Sequence, residues 1–257
     1  MKKNGLRGVA QFVETGIRSF HKKRLESLET TSLTGLLKKK NPYLYKAKNL
    51  VTAQGLVETL LDAKLSSSEE EIFGEFLESL ALFVAQKRVG AEKSSAHGID
   101  FEYTAGGTRH LVAVKSGLNW GNSSQWTALH NDFNTAEKIL RQSEHITSVK
   151  KALGICYGKA KTTTRKGVLQ VCGQNFWFMI TGDEDFYKEI VEPLGHKAKE
   201  LNDEFAENKT RLVNKFTKEF ITDFCDGKGA ILWERLVEFN SGNLTENDKT
   251  ELQPAAR

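Results

Sequence analysis

Apolar positions along this chain fall mostly into runs of helical period, and strict alternation is confined to its middle. Residues 1 to 40 are basic and helical in pattern. Asn41-Pro42 ends that run, because a proline drives the residue before it out of the helical region. Residues 52 to 64 form a second helical stretch with Leu56, Val57, Leu60 and Leu61 as its stripe. Ser66-Ser67-Ser68, with Glu71 three residues past Ser68, has the form of a capping box and predicts a new helix from about Glu69. Its first half turns Ile72, Phe73, Phe76, Leu77 and Leu80 toward a core and leaves Glu71, Glu75 and Glu78 opposite. Its second half, residues 80 to 85, is apolar all round and predicts burial on every side. Glu78 stands above Leu82 and Ala85 at helical spacing. It is the acid most readily drawn inside, and a buried carboxylate needs a partner.

Alternation begins at His97. Ile99, Phe101 and Tyr103 share one predicted strand face, with Asp100 and Glu102 on the other. Gly106-Gly107 supplies the positive φ angles of a tight turn. The return strand, residues 111 to 115, sets Val112 and Val114 on one face and Ala113 and Lys115 on the other. It runs into Ser116-Gly117-Leu118-Asn119-Trp120-Gly121-Asn122-Ser123-Ser124-Gln125, a loop too polar for a core. Ser123 or Ser124 is the predicted cap of a helix carrying Trp126, Leu129, Phe133, Ala136 and Leu140. Residues 151 to 157 and 168 to 172 read as two strands of a hairpin. Its tip, residues 158 to 167, carries Lys159, Lys161, Arg165 and Lys166 and no acid. Residues 175 to 181 are apolar and close the core. Residues 186 to 191, 201 to 224 and 231 to 239 read as helices whose aromatic residues serve a core or a subunit interface. Residues 244 to 257 are polar and expected to fray.

Composition narrows the classes. A net charge of +4 and a pI near 8.8 permit nucleic-acid binding without demanding it. The charge is concentrated, however: residues 1 to 50 hold twelve Lys or Arg against three acids, with clusters at Lys22-Lys23-Arg24 and Lys38-Lys39-Lys40. These clusters form either a solvated face or phosphate contacts. The Lys-rich start lacks the apolar run of a signal peptide, and no apolar stretch reaches membrane-spanning length, so a cytoplasmic location without membrane attachment is expected. Cys156, Cys172 and Cys225 are odd in number and widely spaced, as reduced structural thiols are. No phosphate loop and no Gly-x-Ser-x-Gly elbow exists, and His21, His97, His110, His130, His145 and His196 lack metal-ligand spacing.

The chemistry that remains lies in the hairpin. An acid on one strand and a lysine ending the next is a pairing used in metal-dependent phosphodiester cleavage. The carboxylate holds a hard divalent cation, usually Mg²⁺, and the lysine orients the attacking water or offsets developing charge. Ile99-Asp100, then fourteen residues, then Lys115 resembles the core of the PD-(D/E)XK nucleases. Val114-Lys115-Ser116-Gly117 and Trp120-Gly121-Asn122-Ser123-Ser124-Gln125 resemble a group of bacterial type II restriction endonucleases, over about residues 41 to 240. One departure stands out, because the position two before the lysine, acidic in that superfamily, is Ala113. In relatives lacking that acid a carboxylate from another element replaces it. Ala113 leaves room for one, and Glu78 is the first candidate, ahead of Glu71.

The resemblance implies an α/β fold with a central mixed sheet flanked by helices, as a single nuclease domain over residues 1–257. Within it lie a basic helical region (1–64), a catalytic core (65–182), a helical region (183–243) and a polar tail (244–257). Asp100 and Glu78 are then the Mg²⁺ ligands, Lys115 positions the water, and Ser116 and Gln125 assist. Gln125 alternatively satisfies backbone groups at its helix start. Asn119, Trp120, Asn122, Ser123 and Ser124 in the loop, with Lys159, Lys161, Arg165 and Lys166 in the basic segment, are the expected contacts to double-stranded DNA. Trp120 either stacks on a base or packs its own loop. A homodimer follows from two-fold symmetric substrates. Two alternatives stay open: a catalytically inert DNA-binding protein on the same fold, and a nuclease selective for DNA structure.

Overall fold

A computed structural model describes residues 3–143 and 148–252; His145 and residues 253 to 257 lie outside the described residues. The elements in chain order are α1 (Lys3–Glu29), α2 (Leu33–Lys39), α3 (Pro42–Ala47), α4 (Ala53–Val89), β1 (Glu92–Lys93), β2 (Phe101–Ala105), β3 (Thr108–Lys115) and α5 (Ser123–Ser143). They continue with β4 (Val149–Ile155), β5 (Thr163–Arg165), β6 (Val168–Cys172), α6 (Gln174–Thr181), α7 (Phe186–Glu189), α8 (Val191–Leu194), α9 (Ala198–Phe224), α10 (Trp233–Ser241) and α11 (Glu246–Glu251). Among the described residues no helix is long and apolar enough to cross a membrane. The chain gathers into two compact units, one of residues 1–21 and 70–199, the other of residues 22–69 and 200–257.

The first unit holds the whole six-stranded mixed sheet, in the order β1-β2-β3-β4-β6-β5. The Gly106-Gly107 turn, with φ of 55° and 73°, joins β2 to β3 as antiparallel neighbours. β3 and β4 are parallel, which requires a crossover, and α5 supplies it. β3 is buried on both faces from Leu111 to Val114, so its sequence reads as a continuous apolar run. Val112 and Val114 meet Phe101, Tyr103 and residues of α1, α4 and α6 on one face. Leu111 and Ala113 meet Leu129, Phe133 and Ala136 of α5 on the other. The result is a restriction-endonuclease-like core with helices on both faces of the sheet.

Four local expectations are corrected. The helix does not restart at Glu69, since α4 is continuous. Ser67 Oγ donates to the Ala63 carbonyl and Ser68 Oγ to that of Leu65, so both serines bond back into the helix instead of capping it. Ile99 does not share a face with Phe101. Gly98, at φ 74°, bends the chain ahead of β2 and turns Ile99 toward Leu111 and Ala113. β4 and β6 are not a hairpin but parallel neighbours. The segment between them folds back as β5, where Thr163 and Thr164 suit a strand, and Lys166-Gly167 makes the true hairpin turn. Finally, residues 246 to 251 form α11 under a Thr245–Asp248 capping box instead of fraying.

Gly154 in β4 faces the ring of Phe176 so closely that an added Cβ would lie 2.1 Å from Cε2. Both residues are buried, so neither neighbour can yield to solvent. Gly154→Ala is expected to lower unfolding stability by about 1–3 kcal/mol through overpacking, readable as a shifted urea midpoint.

The second unit is helical. Leu36, Leu56, Leu60, Phe205, Phe216, Phe220 and Phe224 form its core, which bears out the structural reading of the C-terminal aromatic residues. Ser32 caps α2, and Asn41 caps α3 with Pro42 in its first turn. Part of the basic N-terminal charge is consumed here. The Arg24 guanidinium lies 3.8 Å over Phe205 and pairs with Glu69 at 2.7 Å, while Lys40 Nζ donates to the Ala63 carbonyl.

Candidate active site

The site is built where β3 ends. Asp100 stands one residue before β2, and its backbone still follows the ladder: its N–H donates to the Val112 carbonyl at 3.0 Å. At the next rung its side chain replaces a carbonyl, with Oδ2 accepting the Val114 N–H at 2.6 Å. This bond fixes the carboxylate beside Lys115, which follows Val114. Burial pushes the Asp100 pKa up, against the lowering effects of the Val114 N–H, Lys115 and Lys93.

Glu78 comes from α4, which packs on the Val112–Val114 face of β3. Its neighbours Leu77, Leu80 and Ala81 are buried, Glu78 itself is half-buried, and Glu71 and Glu75 are exposed. Burial pushes its pKa up, Lys115 lowers it, and Asp100 and Glu75 raise it further. Glu78, Asp100 and Lys115 therefore form one electrostatic group. The space beside Ala113 is taken by the apolar layer of α5, so Glu78 approaches from the opposite face of the strand and does not fill the room that alanine leaves. Among the described residues no three or more His, Cys, Asp or Glu side chains are placed to hold a metal ion.

The loop after Lys115 is tightly fitted. Ser116 lies against α4 at Gly74, where an added Cβ would be 3.1 Å from its Oγ. Lys115 Nζ is 5.9 Å from the centre of the Trp120 ring, Trp120 is 5.4 Å from Trp126, and the Arg165 guanidinium is 4.5 Å from Trp126. Trp120 thus lies between the Lys115 ammonium and Trp126 of α5, and a cation–aromatic row runs from the site to β5. Gln125 Oε1 accepts the N–H groups of Gly121 and Asn122 at 3.3 and 3.0 Å. Its carbonyl end holds the loop. The helix cap is Asn122, not Ser123 or Ser124: its Oδ1 accepts the Gln125 N–H at 2.9 Å, because one residue earlier is where the chain leaves the helical region. Asn119, Ser123 and Ser124 are exposed, as are Lys159, Lys161 and Lys166.

His97 turns away from Asp100 and pairs with Asp132 at 3.0 Å. Cys156 is buried at the end of β4, where desolvation first, then Glu78 and Asp100, push its thiol pKa up, as suits an inert structural cysteine. A cleft of about 710 Å³ adjoins it, lined by Phe73, Leu77, Tyr157, Lys159 and Trp177 among others. Lys93 escapes a reading of the sequence. It reaches the field of Asp100 only because β1 pairs Lys93 opposite Phe101, and a two-residue strand leaves no pattern.

Comparison with curated proteins returns no match. A family model described as Type II restriction endonuclease EcoO109I matches residues 7–202, more than half of the chain and the whole of the sheet with its site. The chain belongs to this family of type II restriction endonucleases.

Proposed function

We propose that this protein cuts double-stranded DNA at a specific sequence, hydrolysing phosphodiester bonds with Mg²⁺. The observation that carries the reading is the grouping of Asp100, Glu78 and Lys115 at the end of β3. Two partly buried carboxylates, the charge of Asp100 raising the proton affinity of Glu78, are an oxygen-donor set suited to a hard divalent cation, which relieves their repulsion. Asp100 and Glu78 would hold it. When bound, such a cation supplies Lewis-acid polarisation of the phosphate and a more acidic water.

The protein's own groups do the rest. Lys115 orients the water and offsets charge developing on the phosphate. Ser116, beside it, contacts the same phosphate, and Gln125 holds the loop that carries both. Asn119, Trp120, Asn122, Ser123 and Ser124 on one side and Lys159, Lys161, Arg165 and Lys166 on the other contact the duplex, the lysines through phosphates. Arg165, laid on Trp126, presents a pre-oriented guanidinium for a base edge or a phosphate. A homodimer acting in the cytoplasm, with one site per strand of a palindrome, completes the reading.

The inert alternative rests on Ala113, which is buried and apolar at the position that is normally acidic in the superfamily the chain resembles. Incubation with phage DNA separates the readings. Discrete fragments with Mg²⁺ and intact DNA with EDTA are expected, with a loss of at least about 10³-fold on chelation. A metal-dependent smear would replace sequence specificity with a less selective nuclease. DNA left intact under varied metals and salt would leave the inert scaffold.

A further inference from the structure

Resting on the catalytic reading above, we propose that Tyr157 and Glu70 form a latch that sets the Lys115 loop against the helix bearing Glu78. Glu70, Gly74 and Glu78 follow at intervals of four on α4 and so share one face. Each meets the site differently. Glu78 joins the charged group, and Gly74 packs closely on Ser116, whose Oγ would lie 3.1 Å from an added Cβ. Glu70, one turn earlier, accepts the Tyr157 hydroxyl hydrogen bond at 3.1 Å.

Tyr157 holds the other side of the loop at two further points. Its N–H donates to the Ser116 carbonyl at 3.0 Å. Its ring lies over Gly117 so closely that an added Cβ would be 2.5 Å from the phenolic oxygen. One residue therefore ties the end of β4, the two residues after Lys115, and α4. Tyr157 is 47% exposed and Glu70 is exposed, so their hydrogen bond contributes little to folding. What the bond determines is where the loop rests relative to Glu78. Lys115 is one residue from its anchor, so loss of the bond changes the lysine's distance from both carboxylates. Tyr157 and Glu70 are positioning residues, not catalytic ones.

The test compares Tyr157→Phe, Glu70→Ala, Glu70→Gln and the Phe/Ala double variant in full-length protein. Tyr157→Phe and Glu70→Ala are expected to lower kcat about tenfold with KM for duplex DNA and Tm unchanged, because a misplaced group slows chemistry without weakening binding. Glu70→Gln, whose amide oxygen still accepts, keeps a near-parental rate. The double variant is no slower than either single one, as for two halves of one interaction. Hydrogen exchange over residues 115 to 120, without DNA or metal, is faster in Tyr157→Phe. Parental kcat in Tyr157→Phe overturns the positioning role, and parental exchange overturns the latch itself. If the parent protein does not cut DNA, the catalytic reading and the positioning role fall together, and the exchange rates still decide whether the latch exists.

Discussion

Lys115→Ala is expected to abolish DNA cleavage while leaving DNA affinity close to that of the parent. The lysine ends β3, where the Val114 N–H bound to Asp100 fixes the strand one residue away. Its charge lowers the pKa of both carboxylates, and the ring of Trp120 stands at one side of its ammonium. In the proposed mechanism alanine removes the group that orients the nucleophile and offsets charge in the transition state, each of which contributes about 10²–10⁴-fold. It also lets both carboxylates climb further in pKa, so any residual activity should show its acid limb at higher pH than the parent. Binding, by contrast, is summed over many phosphate contacts. Losing one cation should lower the slope of log K against log salt by about one and cost little at low salt. Single-turnover cleavage beside anisotropy titrations in EDTA separates the two quantities. Sequence-specific cleavage at the parental rate by this variant would remove Lys115 from the mechanism.

The parts of this site that were legible in the sequence are those that local physics encodes. The Gly106-Gly107 turn and the alternation on either side of it pair β2 with β3, which brings Asp100, one residue ahead of β2, level with the strand that ends at Lys115, because turn chemistry and period two act over a few residues. Glu78 was legible by its surroundings: it stands above Leu82 and Ala85, in the apolar half of the helix, and is half-buried. Its route to the site was not, since which face of β3 a helix covers depends on packing across the sheet. β5 was hidden because a three-residue exposed strand needs no apolar pattern, and without it β4 and β6 read as a hairpin. Ser68 misled because a capping sequence inside a helix is silent once the serine bonds back to Leu65. Tyr157 and Glu70 are separated by 87 positions, and nothing in either neighbourhood announces the other.

Glu78→Gln and Asp100→Asn are expected to lose cleavage by at least about 10³-fold, as removal of a metal-holding carboxylate should. Both should at the same time melt a few degrees higher than the parent at neutral pH in EDTA. Burial raises both pKa values, so between the ordinary carboxylate range and the raised value the folded state binds more protons than the unfolded one. The stabilising contribution of each group is thus fully present below the unfolded carboxylate value of about 4 and is lost as pH rises through the folded value. Above it the charged carboxylate is a net cost to folding, which the neutral amide removes. In Asp100→Asn the amide oxygen can still accept the Val114 N–H, so that substitution keeps the rung while deleting the charge. The gain in Tm should shrink on acidification and vanish near a pH of about 4. Mg²⁺ should raise the parent's Tm and leave the Glu78→Gln protein's much less changed, since a ligand stabilises only the state that binds it. A Glu78→Gln protein that melts below the parent at neutral pH in EDTA would mean that Lys115 outweighs the desolvation of Glu78. Glu78 and Lys115 would then be a structural ion pair, and the strain proposed to favour a cation would be absent.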